Sequence, residues 1–402
     1  MSDLLPTIDP NRAPEGHLPS VLLRILSAAS TPALLAKSAN IDLGLAEHMP
    51  FPFLALVGQE EMRIALLLAV INPNIGGVLL IGPRGTGKTT AVRSLSDLLP
   101  EVEVSACEEG CLPEDYERSG ESAVCPSCAA KLKRGEPITR WTAVKMIELP
   151  LNARLEDVVG GINERVALQQ QRVRLERGIL ARADQNILYV DEVNLLDNAI
   201  VDAILDAAAA GSYTVRRGAM VGTYRSRFVL IGSMNPEEGN LRPQLMDRFG
   251  LRVVVRGLMA REERLEIYRR VSAYRANPRA FLRQWAGVTA EARTEIENAR
   301  QMLKDVTLTD QALDLGLALV RELDIDSHRA EFTLFEAARA YAAADGRLQA
   351  DVHDVQAVAP LALRQRRSEF MVRFSQQQQA EDELIRQRVS AILKAQQDGQ
   401  RS

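Results

Sequence analysis

Aromatic residues are scarce, at 4% of the 402-residue chain, so packing falls to leucine and alanine and favours helices. Positive charge is not in excess: the net charge is −4, which supplies no overall basic field for nucleic acid or membrane. Long apolar runs are missing too. Stretches such as Ile64–Ile71 fall far short of the roughly 20 residues that span a bilayer, so no membrane span is expected. The N-terminus has no basic stretch followed by an apolar one. It carries Asp3, Asp9 and Glu15, which argues against a secretory or transit signal and leads us to expect a cytoplasmic protein. Cysteine occurs only four times, and in such a compartment the thiols are reduced or bound to metal, not paired in disulfides.

What is present is the balance of a soluble globular protein, 46% hydrophobic and 25% charged. The length predicts two domains plus tails. Residues 1–50 read as a proline-broken extension with an amphipathic stretch around Val21–Ala36. Residues 51–258 alternate short apolar strands with helices: Val78–Ile81, Val102–Ser105, Ile187–Val190, Arg227–Ile231 and Leu251–Val255. That pattern predicts an α/β core, a parallel sheet covered by helices on both faces. Three segments interrupt it. A poorly periodic insertion covers 106–146, a charged stretch between glycines covers 158–182, and a hairpin pattern covers 211–225. Residues 259–366 predict a separate helical domain, with helices at 261–273, 290–303, 309–323, 333–344 and 352–366. The tail, 367–402, is polar and glutamine-rich, with a helical stretch around Glu381–Ala395.

The string Gly82-Pro83-Arg84-Gly85-Thr86-Gly87-Lys88-Thr89, followed by Thr90, lies between an apolar strand and a helix. Its glycines let backbone N–H groups surround phosphates, Lys88 reaches the β- and γ-oxygens, and Thr89 offers its hydroxyl to Mg²⁺. A second apolar strand ends in Asp191 and Glu192. Asp191 is placed to hold Mg²⁺ and Glu192 to orient or deprotonate the attacking water. Asn235, closing the next strand, either positions that water or starts a turn with Pro236. Arg248 precedes the fifth strand, where an arginine of a ring ATPase can reach a neighbour's γ-phosphate. Cys107, Cys111, Cys125 and Cys128 form two close pairs, C-x₃-C and C-x₂-C. The spacing suits structural Zn²⁺, with a redox-responsive thiol set, or no shared role, as the other readings.

Two strings resemble the ATPase subunit of magnesium chelatase. The first is Phe51-Pro52-Phe53 with Val57-Gly58-Gln59-Glu60 and Gly82–Thr89. The second is Asn235-Pro236-Glu237-Glu238-Gly239 with Leu241–Gly250. The resemblance covers residues 51–366 and implies an AAA+ P-loop core with a helical lid. It implies hairpin insertions at 158–182 and 211–225, a first sensor at Asn235, a trans-acting arginine at Arg248 and a second sensor at Arg329. Ser327 and His328 depart from the small or apolar residues the family more often has there. It further implies ATP and Mg²⁺ as cofactors and a hexameric ring. Its partners are a second AAA+ subunit bearing an integrin-like domain and a large porphyrin-binding subunit that, as a nitrogen–metal ligase, inserts Mg²⁺ into protoporphyrin IX. Two rivals remain. One is an AAA+ chaperone or cobalt-chelatase-type motor. The other is a DNA-acting ring motor, suggested by Arg216, Arg217, Arg225 and Arg227 in one hairpin but opposed by the acidic charge.

Overall fold

The structure, a computed structural model, describes residues 49–107, 109–161, 175–218, 220–367 and a few positions between 377 and 388. The stretch at Val21–Ala36, the middle of the 158–182 segment and most of the tail lie outside the described residues. The strands are β1 (Val78–Ile81), β2 (Val102–Ser105), β3 (Thr139–Thr142), β4 (Met146–Leu149), β5 (Ile187–Val190), β6 (Ser212–Arg217), β7 (Met220–Arg225), β8 (Val229–Met234) and β9 (Leu251–Val254). Five of them form one sheet in the order β4-β5-β8-β1-β9, with every neighbouring pair parallel.

β1, β5 and β8 are buried along their whole length. Their side chains divide with the strand period of two. Val78, Leu80, Ile187, Tyr189 and Ile231 face one core, shared with the helices Glu60–Ile71 and Lys88–Leu95. Leu79, Ile81, Leu188, Val190 and Leu230 face the other, under the helix Asn198–Ala210. Continuous apolar runs are what a strand needs when helices cover both its faces.

One predicted strand sits elsewhere. β2 does not join the central sheet; it pairs antiparallel with β3, from Val102–Thr142 to Ser105–Thr139. The sheet edge is taken by β4, which begins at the last residue of the predicted 106–146 insertion. The alternation of β2, with Glu103 exposed and Ser105 half-buried, suits a two-stranded ribbon with one wet face better than a doubly covered sheet.

β6 and β7 form the expected hairpin at 211–225, and Arg217 pairs with Met220 across a two-residue connection. Three of the four arginines named for it pair within the chain: Arg217 with Glu156 at 3.9 Å, Arg225 with Asp115, and Arg227 with Asp184 at 3.2 Å, while Arg216 is exposed. Those pairings remove much of the basic surface that a nucleic-acid reading requires.

Beyond β9 the chain is mainly helical: Arg261–Ala276, Pro278–Met302, Asp310–Glu322, Arg329–Ala344 and Val352–Leu363. Thr309 and Asp351 cap two of these helices, accepting from Ala312 N–H and from His353 and Asp354 N–H. The second helix starts 12 residues before the predicted 290, at Pro278, because Asn277 caps Ala280 N–H and proline fits the first helical position. A two-residue parallel pair, Thr307–Leu308 with Gln349–Ala350, also lies here, where only helices were expected. Among the described residues the helical part shares its core with the sheet. Leu334, Ala338, Val355 and Leu361 belong to the same buried cluster as Val78 and Ile231. Among the described residues no helix is long and apolar enough to cross a membrane.

Asp247 ties the two parts together. Its carboxylate accepts from the fully buried Arg366 at 2.8 Å and from Ser327 Oγ at 2.7 Å, and Arg329 lies 3.7 Å away. Arg366 also donates to the carbonyls of Phe249 (3.2 Å) and Gly250 (2.9 Å). Arg252, buried beside it, donates to the carbonyls of Arg364, Gln365 and Met246. Burial and the neighbouring Arg366 pull the Arg252 guanidinium down to about 9, with Asp247 opposing.

Candidate active site

The carboxyl ends of β1, β5 and β8 meet on one side of the sheet, where open α/β sheets bind ligands. A cleft of about 360 Å³ opens there, lined by the loop Arg84–Thr90, by Asp191 and Glu192, and by Ser233, Met234 and Asn235. Gly82 leaves β1 so close to β9 that a Cβ would lie 2.0 Å from the Val255 carbonyl, so only glycine fits. Gly87 precedes the helix in a left-handed conformation (φ 88°) that suits glycine, and the helix begins at Lys88.

Lys88 is buried, its Nζ donating to the carbonyls of Gly82 (2.6 Å) and Pro83 (2.8 Å). Burial lowers its pKa, while Asp191, Glu192 and Glu238 pull it back up. The amine is thus held against the carbonyls at the start of the loop, on the cleft lining.

Thr89 and Asp191 come together through a residue the sequence reading did not single out. Thr89 Oγ1 lies 3.0 Å from Tyr189 Oη, and Tyr189 donates to Asp191 Oδ1 at 2.9 Å. Burial pushes the Tyr189 hydroxyl up to about 12, so it remains protonated and keeps donating. A hydroxyl and a carboxylate held side by side form the hard oxygen set that Mg²⁺ prefers when it also carries water and phosphate oxygens. Tyr189→Phe should keep the fold, because the ring stays in the core. It should cost about tenfold in apparent Mg²⁺ affinity, as expected for an outer partner of metal ligands. Titrating ATPase activity with Mg²⁺ reads the change, and an unaltered Mg²⁺ dependence would remove Tyr189 from this role.

Ser233 is the second residue missed. Its hydroxyl donates to Asp191 and accepts from the Glu192 N–H at 3.3 Å, pinning the two acids relative to each other. Glu192 itself has a left-handed backbone (φ 50°), a strained geometry for a non-glycine residue that turns its side chain out of β5. Its carboxylate is bound by Arg84 at 2.7 Å, and Arg84 also holds Glu238 at 2.8 Å. Asn235 starts the expected turn at the edge of the cleft, its Oδ1 accepting from Glu237 N–H at 3.3 Å.

Arg248 and Arg329 do not line this cleft. They border another, of about 630 Å³, together with Asp247, Arg300, Phe332 and Thr333. Arg248 Nη1 bonds Asp206 at 2.5 Å and lies 3.4 Å from Asp202. Arg329 is more than half exposed. The chain thus carries the cleft at Arg84–Thr90 and, away from it, a pair of arginines.

The four cysteines converge as a separate site: all four sulfurs lie within 4.8 Å of one another, and none is in a disulfide.

Comparison with known proteins bears on the family and the fold. The family described as "Magnesium chelatase, subunit ChlI" matches residues 163–244, and "AAA lid domain" matches 317–388. A magnesium-chelatase subunit ChlI homolog from Methanocaldococcus jannaschii is 44% identical over 322 residues, 80% of this chain and 87% of the relative. The magnesium-chelatase 38 kDa subunit of Acidiphilium rubrum is 42% identical over 317 residues, 79% of this chain and 90% of that protein. A crystallised Cytophaga hutchinsonii protein, only 19% identical, shares the fold at a TM-score of 0.51, over 78% of this chain and 83% of its own.

Proposed function

The chain belongs to the magnesium-chelatase subunit ChlI family, and on that premise we propose that it is the ATP-hydrolysing motor of a magnesium chelatase. The observation that carries the reading is the division of labour in the site. Lys88, Thr89, Asp191, Glu192 and Asn235 share one cleft, while Arg248 and Arg329 lie outside it. Such a cleft is complete only when a neighbouring subunit brings its arginines to it, which is the logic of a ring.

In the proposed cycle the loop Gly82–Thr90 binds the ATP phosphates, with Lys88 as the point charge. Thr89 and Asp191 would hold Mg²⁺, which when bound neutralises phosphate charge. Glu192, once released from Arg84, takes the proton of the attacking water, and Asn235 helps to place that water. Arg248 of the adjacent subunit meets the charge that develops on the γ-phosphate. Arg329, beside Arg248 on the same face, acts on the same neighbour. The ring is hexameric in this reading and works in the cytoplasm. It couples to a second AAA+ subunit with an integrin-like domain and to a large porphyrin-binding subunit that performs the ligation of Mg²⁺ into protoporphyrin IX.

A chelation assay tests the proposal. The purified chain, mixed with those two partner subunits, ATP, Mg²⁺ and protoporphyrin IX, should give the metallated porphyrin in an ATP-dependent manner. ATP hydrolysis with no porphyrin metallation, alongside partner subunits active with their own motor, would favour the rival: a chaperone or cobalt-chelatase-type motor.

A further inference from the structure

The segment between β2 and β3 is poorly equipped to hold itself together. Its buried apolar side chains are few: Val124, Ala129 and Ile138, joined by Cys111 and Cys128 and flanked by Tyr116 and Leu132. A core this small does not fix some thirty residues, and small units of this kind depend on a cross-link or a metal. Yet the segment is well formed around its four thiols.

Cys125 caps the helix Pro126–Lys133, its sulfur accepting from Cys128 N–H at 3.4 Å. Cys107 Sγ accepts from Cys111 N–H at 3.4 Å, and Cys111 Sγ accepts from Cys125 N–H at 3.2 Å. N–H groups pointed at sulfur stabilise thiolates and orient them as ligands. A tetrahedral ion with bonds of about 2.3 Å sets its four sulfurs roughly 3.8 Å apart. The observed upper limit of 4.8 Å admits that arrangement. It does not admit a two-iron cluster, whose irons push the two thiolate pairs farther apart.

The thiol loop is also where the hairpin segments are anchored. Arg225, the last residue of β7, donates to the Gly110 carbonyl at 3.4 Å, one residue before Cys111, and to the Asp115 carboxylate. Asp115 in turn accepts from Leu112 N–H at 3.0 Å, the residue after Cys111. Arg177, on the exit from the 158–182 segment, lays its guanidinium about 3 Å from where a Gly110 Cβ would stand. A zinc tetrathiolate carries two net negative charges, and both guanidinium groups approach its loop.

We propose that Cys107, Cys111, Cys125 and Cys128 bind one Zn²⁺, and that the metal-fixed loop anchors the base of the β6–β7 hairpin through Arg225. Binding displaces a proton from each thiol to solvent, with no change of oxidation state. The inference concerns this chain's own residues and does not depend on whether the ring drives a chelatase.

Elemental analysis of the full chain, purified under reducing conditions without chelator, should find about one zinc per chain. Replacing zinc by Co²⁺ should give the d–d bands and thiolate-to-cobalt charge transfer of a tetrahedral thiolate site. Cys128→Ser should lose the metal while the protein still binds ATP analogue, because the P-loop belongs to the central sheet. Hydrogen exchange reads the anchoring: amides of 212–225 should exchange about tenfold faster once zinc is stripped, the equivalent of losing one charge-assisted hydrogen bond. Asp115→Asn should raise hairpin exchange with zinc retained. Protein without zinc, protein with iron in its place, or cysteines recovered as disulfides would overturn the site. Zinc-loaded and zinc-free proteins with identical hairpin exchange would overturn the anchoring.

Discussion

Arg248→Ala is expected to lower ATP hydrolysis by the assembled protein about 10³–10⁵-fold while leaving nucleotide binding nearly unchanged. The residue lies away from its own cleft, so its loss takes nothing from the phosphate loop of the same chain. Its partners Asp202 and Asp206 are half or more exposed, and such ion pairs contribute about 1 kcal/mol or less, so the subunit should stay folded. Mixing Arg248→Ala with Lys88→Ala subunits gives the decisive measurement. Some interfaces then combine an intact loop from one chain with an intact arginine from the next, and part of the activity should return. Verified mixed rings with no recovery would remove Arg248 from the neighbour's site.

Glu192→Gln is expected to bind ATP as the native protein does and to turn it over about 10²–10⁴-fold more slowly, the usual contribution of a general base. The amide keeps the size of the side chain, and the backbone bond from residue 192 to Ser233 does not involve the carboxylate. Lys88→Ala is the contrasting variant. It removes the buried ammonium that faces the phosphates, so binding itself should fail. Equilibrium binding of a fluorescent ATP analogue, followed by phosphate release, separates the two outcomes. Native-rate hydrolysis by Glu192→Gln would assign water activation to another group.

The parts of this site that were legible in the sequence are contiguous. The loop Gly82–Thr89 and the pair Asp191-Glu192 announce themselves because the chemistry needs neighbours along the chain, bounded by apolar strands. Tyr189 and Ser233 did not, because their roles arise across the sheet. Tyr189 is one of four residues in a strand whose pattern speaks only of burial, and its hydroxyl acquires meaning only beside Thr89, 100 positions earlier. The misplaced strand has a similar cause. Val102–Ser105 and Met146–Leu149 are both short and each carries one exposed glutamate, so local pattern does not decide which of them joins the central sheet. Partner strands settle that, and forty residues of insertion separate the two choices. The Asp247 cluster was equally hidden, since Ser327 and Arg366 reach it from 80 and 119 positions away.

That cluster has a mechanical consequence. Arg366 grips the main chain at Phe249 and Gly250, immediately after Arg248, and closes onto Asp247 immediately before it. The end of the helical lid and the short helix that bears Arg248 are therefore fastened at both sides of that arginine, with no slack between them. Like a crank pinned to its shaft, the lid is coupled to the neighbours of Arg248 through these bonds. Were Arg248 to act on a neighbour as proposed, a movement of the lid would reach that neighbour's site through Arg366, Asp247 and Arg248 in turn.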